Sequence, residues 1–130
     1  MQLGAKVVTA SDSGGTVIDE AGFTPEKLAR LMHVKNDLYG RVEDYARELG
    51  LSFEAGRKPW GLPVDVALPC ATQNELDGED ARTLVKQGVK CVAEGANMPS
   101  TLAAIEVFHE AGVLYAPGKA SNAGGVATSG

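Results

Sequence analysis

Four short apolar runs, at residues 6–10, 64–69, 90–95 and 113–116, each give way to a polar stretch rich in Gly, Ser or Asn. Helix-like segments separate them. Runs of this kind read as strands buried on both faces, which is the habit of parallel sheets. Right-handed crossovers then bring every strand's carboxyl end to one edge, where ligands of open α/β sheets bind. The expected architecture is therefore α/β, a Rossmann-like parallel sheet with helices on both faces. Loops 11–15, 70–74, 95–99 and 117–125 are expected to converge on its ligand edge.

Local signals set the element boundaries. Thr24 is placed to cap a helix with Pro25 at its first position. Leu28, Leu31, Met32 and Lys35 continue it on one face. A second helix spans 41–49 and stops at Gly50. Residues 16–19 suggest a small extra strand and 51–54 a brief one, and 59–63 read as a loop with Trp60 as a packing anchor. Helices follow at 77–87, closed by Gly88, and at 99–110, with Gly112 beyond its end. After the last strand, Pro117-Gly118 signals a turn, and Asn122 is suited to cap a final helix.

Composition narrows the class. At 130 residues the chain is one domain at most. Aromatics make up only 5%, so the core rests on Val, Leu, Ile and Ala. A net charge of −5 argues against nucleic acid, which needs a basic stripe. No apolar run approaches the ~20 residues of a membrane span, and the first residues lack a signal peptide's pattern, so a cytoplasmic location is expected. Cys70 and Cys91 form no CxxC, and only two His accompany them. No metal site is expected, and both thiols read as reduced and buried.

The polar loops carry the chemistry. Asp12 follows the first strand closely, where an acid of a dinucleotide-binding fold hydrogen-bonds the adenosine ribose; the plainer reading is a turn former. No G-x-G-x-x-G precedes it, and that turn would lie roughly 20 residues upstream. A 2′-phosphate beside Asp12 needs compensating groups. Ser13, Lys35 and Arg41 are the candidates, since cations accommodate the 2′-phosphate of NADP. The alternative makes Lys35 and Arg41 solvated helix charges. Thr72 and Gln73 offer uncharged donors and acceptors suited to a ribose or a nicotinamide amide. Asn74 reads as a helix cap. Asn97 either reads a carboxamide or caps the next helix. Glu94, ending an apolar strand, is either a perturbed carboxylate or a satisfied structural acid. His33 and His109 show no triad spacing and read as surface residues.

Taken together, Ala10-Ser11-Asp12-Ser13-Gly14-Gly15-Thr16, Ala67-Leu68-Pro69-Cys70-Ala71-Thr72-Gln73-Asn74-Glu75-Leu76, Ala93-Glu94-Gly95-Ala96-Asn97-Met98-Pro99 and the segment 116–130 resemble the cofactor domain of glutamate dehydrogenase. The likeness is to the bacterial hexameric, NADP-preferring type and runs over essentially the whole chain. It implies oxidative deamination of L-glutamate to 2-oxoglutarate and ammonia, with hydride passing to the nicotinamide. It also implies NADP as cofactor, with NAD as the alternative, and a homo-hexamer for full-length members. By position, the resemblance implies that Asp12, Ser13, Lys35 and Arg41 contact the adenosine ribose and 2′-phosphate. Thr72, Gln73, Asn97 and Asn122 take the ribose and nicotinamide half of the cofactor, and Val126 and Ser129 the substrate. The family's catalytic residues, first strand, phosphate-binding turn and substrate domain have no counterpart in these 130 residues. The chain is thus expected to be a partial dinucleotide-binding domain, inactive by itself, that binds NADPH more weakly than millimolar.

Two readings compete with this. One is a related branched-chain or aromatic amino-acid dehydrogenase; a hydroxyl at Ser129 suits a distal carboxylate. The other is a non-catalytic, oligomerising or complementing nucleotide-binding module. An unpaired sheet position invites association with another chain and predicts marginal folding or self-association.

Overall fold

The computed structural model describes Met1 and residues 3–129, excluding the side chains of residues 125, 126 and 129. The fold is α/β, and the chain forms two compact units, Met1–Pro59 and Trp60–Gly130.

The first unit holds a three-stranded sheet in the order β1 (Thr9–Asp12), β2 (Gly15–Ile18), β3 (Ser52–Ala55). Both pairings are antiparallel, with Asp12 opposite Gly15 and Val17 opposite Phe53. The expectation of parallel strands fails here for a local reason. Only Ser13 and Gly14 separate β1 from β2, and so short a link joins antiparallel neighbours alone. The expected loop 11–15 shrinks to that turn. The expected strand 6–10 moves toward it: Val7 and Val8 bond through their carbonyls to the amides of Phe23 and Asp19 (both 2.8 Å) instead of entering the sheet. Gly15 makes the tight pairing possible, since at its φ of +148° a Cβ would sit 2.3 Å from the Glu54 carbonyl oxygen.

Between β2 and β3 run α1 (Pro25–Met32), a π-helical turn (His33–Asp37) and α2 (Val42–Leu49). Thr24 caps α1 with Pro25 at its first turn, as the sequence suggests. The helix ends at Met32, so Lys35 belongs to the π turn, not to the α1 face. The Leu38 amide closes that turn on the His33 carbonyl at 3.1 Å. Gly50, left-handed at φ 67°, ends α2. Val17, Val34, Val42, Tyr45 and Ala46 form the core, and Phe23 stacks on Tyr45 with centroids 6.0 Å apart. The buried Asp19 is paired with Lys27 at 2.6 Å.

The second unit contains the parallel sheet: β4 (Val66–Ala67), β5 (Cys91–Ala93) and β6 (Leu114–Ala116), in that order. Ala67, Val92 and Tyr115 share one register row, as do Val66, Cys91 and Leu114. Helices α3 (Gly78–Lys86) and α4 (Leu102–Glu110) supply the crossovers. Their Ala81, Leu84, Ala104 and Phe108 close over Ala67 and Val92 to make the core, which Trp60 joins as anticipated.

Both helices start later than their Pro and Asn signals suggest. Asp77 caps α3 by accepting the Asp80 amide at 2.8 Å, while Asn74 sits in the left-handed region at φ 58°. Thr101 caps α4. Residues 97–100 cannot begin that helix because they run beside the preceding loop: the Leu76 amide donates to the Pro99 carbonyl and the Thr101 amide to the Leu76 carbonyl, both at 3.0 Å. After β6 come α5 (Gly118–Ser121) and α6 (Ala123–Ser129). Asn122 closes α5, its amide donating to the Gly118 carbonyl, and stands directly before the first residue of α6. Cys70 and Cys91 are free, as expected, but exposed and half-buried respectively; Cys70 lies beyond the end of β4, and Cys91 opens the central strand β5. Among the described residues no helix is long and apolar enough to cross a membrane, and no metal-binding cluster of His, Cys, Asp and Glu occurs.

Candidate functional site

In the first unit the hairpin turn, the π turn and the start of α2 bring together Asp12, Ser13, Lys35 and Arg41. Asp12 is the hub. Its Oδ1 accepts the Gly14 amide at 2.8 Å. Its Oδ2 accepts the Val42 amide at 3.0 Å and the Lys35 ammonium at 3.1 Å. Val42 is the first residue of α2, so the carboxylate sits at a helix N-terminus, where the dipole favours negative charge. Arg41 Nε lies 4.0 Å from the same oxygen, and its Nη2 donates to Ser13 Oγ at 2.9 Å.

These contacts set the ionisation of Asp12. Burial opposes the charged form, but the Val42 and Gly14 amides and Lys35 outweigh it and hold the carboxyl below its ordinary value. One carboxylate between two cations leaves a net positive charge, with a hydroxyl beside it. Such a group accepts a hydrogen bond from a sugar hydroxyl through Asp12 and pairs with a doubly charged oxyanion through Lys35, Arg41 and Ser13. Lys35 and Arg41 keep 35% and 55% of their side-chain surface exposed, so both reach solvent.

In the second unit three loops meet at the carboxyl edge of the parallel sheet. The amides of Gly95 and Ala96, after β5, donate to the Pro69 carbonyl after β4, at 3.0 and 3.2 Å. The Asn74 amide donates to the Met98 carbonyl at 3.0 Å. The Asn122 side chain, beyond β6, donates to the carbonyls of Gly95 and Ala96, each at 3.4 Å. Thr72, Gln73 and Asn97 stand exposed on this stitched edge, presenting neutral donors and acceptors and no charge. Val126 and Ser129 lie in α6, but their side chains are outside the described residues.

Beneath this edge lies Glu94, 3% exposed. Its carboxylate accepts the Gly118 amide at 2.9 Å and the Ser100 amide at 3.1 Å. The carboxylate is thus satisfied by two backbone amides, as a structural acid requires. Tyr115 is pushed well above the usual phenol range, first by burial and then by its hydrogen bond to Glu94. Sequence reasoning missed Gly118: a Cβ there would stand 2.8 Å from the Ala96 carbonyl oxygen. The only signal for it was its place directly after a strand-ending proline. His33 and His109 are surface residues, as read; His33 pairs with Asp37 at 2.6 Å, and His109 lies edge-on to Tyr115.

A family model described as Glutamate/Leucine/Phenylalanine/Valine dehydrogenase matches residues 1–130. The NADP-specific glutamate dehydrogenase of Salmonella typhimurium is 68% identical over the whole chain, and that of Escherichia coli 66%. In both comparisons the chain spans 29% of the relative's length. A crystal structure of Plasmodium falciparum glutamate dehydrogenase superimposes with a TM-score of 0.93 at 46% identity, covering 97% of this chain and 27% of that one.

Proposed function

Because the chain belongs to the glutamate/leucine/phenylalanine/valine dehydrogenase family, we propose that it is cofactor-binding sequence of an NADP-dependent glutamate dehydrogenase. That enzyme interconverts L-glutamate with 2-oxoglutarate and ammonia, in a cytoplasmic hexamer. The observation that carries the reading is the placing of Lys35 at 3.1 Å and Arg41 at 4.0 Å from Asp12, with Arg41 also on Ser13. The donor set fits a phosphorylated ribose: Asp12 takes a ribose hydroxyl, and the two cations and Ser13 hold the 2′-phosphate. NADP, when bound, supplies the nicotinamide carbon that accepts the hydride. Asn97 and Asn122, with Thr72 and Gln73, orient the nicotinamide riboside by neutral hydrogen bonds, and Val126 and Ser129 contact the substrate. The chain spans 29% of the relatives' length, and the 130 residues alone are expected to give no glutamate-dependent NADPH formation.

The test is calorimetric titration of the chain with NADPH and with NADH. Charge-assisted hydrogen bonds are worth about 1.5–3 kcal/mol each, so NADPH should bind at least ~10-fold tighter. Equal affinities would overturn the NADP assignment, and no binding of either at nucleotide concentrations carried well above millimolar would overturn the nucleotide reading. The exposure of Val66, Leu68 and Leu114 (51, 58 and 72%) supports a second proposal, that the chain self-associates. Sedimentation showing only monomer across a wide concentration range would refute it.

A further inference from the structure

We propose that Glu94 is a positioning residue: its buried carboxylate locks the loop after β5 to the start of α5 and thereby sets Asn97 and Asn122 at the nicotinamide edge. The inference rests on the nicotinamide reading above for its functional meaning, but its geometry is independent of any cofactor.

A carboxylate at the end of a buried strand needs partners, since burying an unpaired charge is costly. Glu94 finds them in two different loops and in the Tyr115 hydroxyl of β6. One oxygen takes the Ser100 amide, two residues before α4; the other takes the Gly118 amide at the first residue of α5. The residue's main chain makes the same link. Its amide donates to the Ala116 carbonyl at 3.0 Å, and its carbonyl accepts the Ser121 hydroxyl. The two asparagines lie just beyond these ties. Asn97 lies between Glu94 and Ser100, on a loop closed by the carboxylate at one end. Asn122 directly follows Ser121, and its amide reaches back to the carbonyls of Gly95 and Ala96.

Two acceptor oxygens make the lock symmetric. An ionised carboxylate is acceptor-only and takes both amides at once, whereas an amide side chain of the same size presents one oxygen and one NH₂. Glu94→Gln therefore sets a donor against either Gly118 or Ser100 and opens one tie while keeping the shape. Ser121→Ala removes the hydroxyl tie to the Glu94 carbonyl without touching the carboxylate or the bond from the Glu94 amide to the Ala116 carbonyl. The lock is also tight in space, because the Gly118 Cα approaches the Ala96 carbonyl more closely than any side chain permits.

The experiment is hydrogen exchange and ¹⁵N NMR on the 130-residue chain, comparing wild type, Glu94→Gln, Ser121→Ala and a control, Val107→Ala, which weakens the core beside α4. In Glu94→Gln, exchange at Gly118 or Ser100 should rise about tenfold or more. The side-chain amide signals of Asn97 and Asn122 should shift in the absence of any nucleotide, while α3 amides keep their protection. Ser121→Ala should move the Asn122 signal alone. Val107→Ala should speed exchange throughout α3 and α4 without moving either asparagine signal. Unchanged asparagine signals in Glu94→Gln, or a uniform loss of protection across the unit, would overturn the positioning role. Addition of NADPH to the wild-type chain separates the two claims: no response at Asn97 and Asn122 would sink the nicotinamide reading, while the lock would stand or fall on the exchange data.

Discussion

Replacing Asp12 by Ala should loosen the first unit selectively. The carboxylate holds two backbone amides, Gly14 in the hairpin turn and Val42 at the start of α2, and its side chain is only 12% exposed. Loss of a capping acceptor costs about 1 kcal/mol, up to 2, and a buried donor left without a partner about 1–3 kcal/mol. The ion pairs to Lys35 and Arg41 involve well-exposed cations and add little. Water reaches the Gly14 amide more readily than that of Val42, so about 2 kcal/mol is expected, or ~30-fold in an opening equilibrium. Trp60, the only tryptophan, belongs to the second unit, so its fluorescence reports on that unit. Amide exchange at Val17 and Tyr45, in the first unit's core, is the assay. Asp12→Ala should raise those rates about 30-fold while leaving Leu84 and Val92 protected. Unchanged rates at Val17 and Tyr45 would refute the argument that one carboxylate joins the turn to the helix. The acid response has a definite sign. Because the folded carboxyl lies below its ordinary 3.8, its stabilisation is complete above that value and is lost as pH falls through the lower, folded one. The wild-type first unit should thus weaken below about pH 4, and Asp12→Ala should flatten that response.

Two further changes probe the second unit, both read from Trp60 fluorescence during urea unfolding. Gly118→Ala forces a Cβ to 2.8 Å from the Ala96 carbonyl and should cost about 1–3 kcal/mol, as overpacking does; a midpoint equal to wild type would contradict the close approach. Leu84→Ala, at a fully buried position between α3 and the sheet, should cost about 2–5 kcal/mol; a smaller loss would mean that the core collapses around the cavity.

How much of this was readable in the residues differs between the units. In the second, long apolar runs and helical periods alternate, and strand, helix and edge all followed from them. Its departures lie in the helix starts, in strands shorter than their apolar runs, and in the two cysteines, which are not buried. Pro99 and Asn97 carry a helix-opening signal, yet pairing of the 97–100 backbone with the loop after β4 overrides it, and a contact between segments more than 20 residues apart leaves no trace in local chemistry. In the first unit the polar stretch 11–15 looked like a loop because its residues are turn formers; only the strand pairing of Ser11 with Thr16 shows otherwise. The association of Asp12 with Lys35 and Arg41 came from the chemistry that a phosphorylated ribose demands, not from spacing. Gly118 is legible only as part of a turn, because the constraint on it is the Ala96 carbonyl of another loop.

The cluster around Asp12 is tested most directly by two fragments that differ only in the 2′-phosphate. Adenosine 2′,5′-bisphosphate should move the side-chain nitrogen signals of Lys35 and Arg41 and the amide signals of Ser13 and Gly14, and AMP should leave the two cations unmoved. Equal responses to both fragments, or a response that bypasses Lys35 and Arg41, would contradict the assignment.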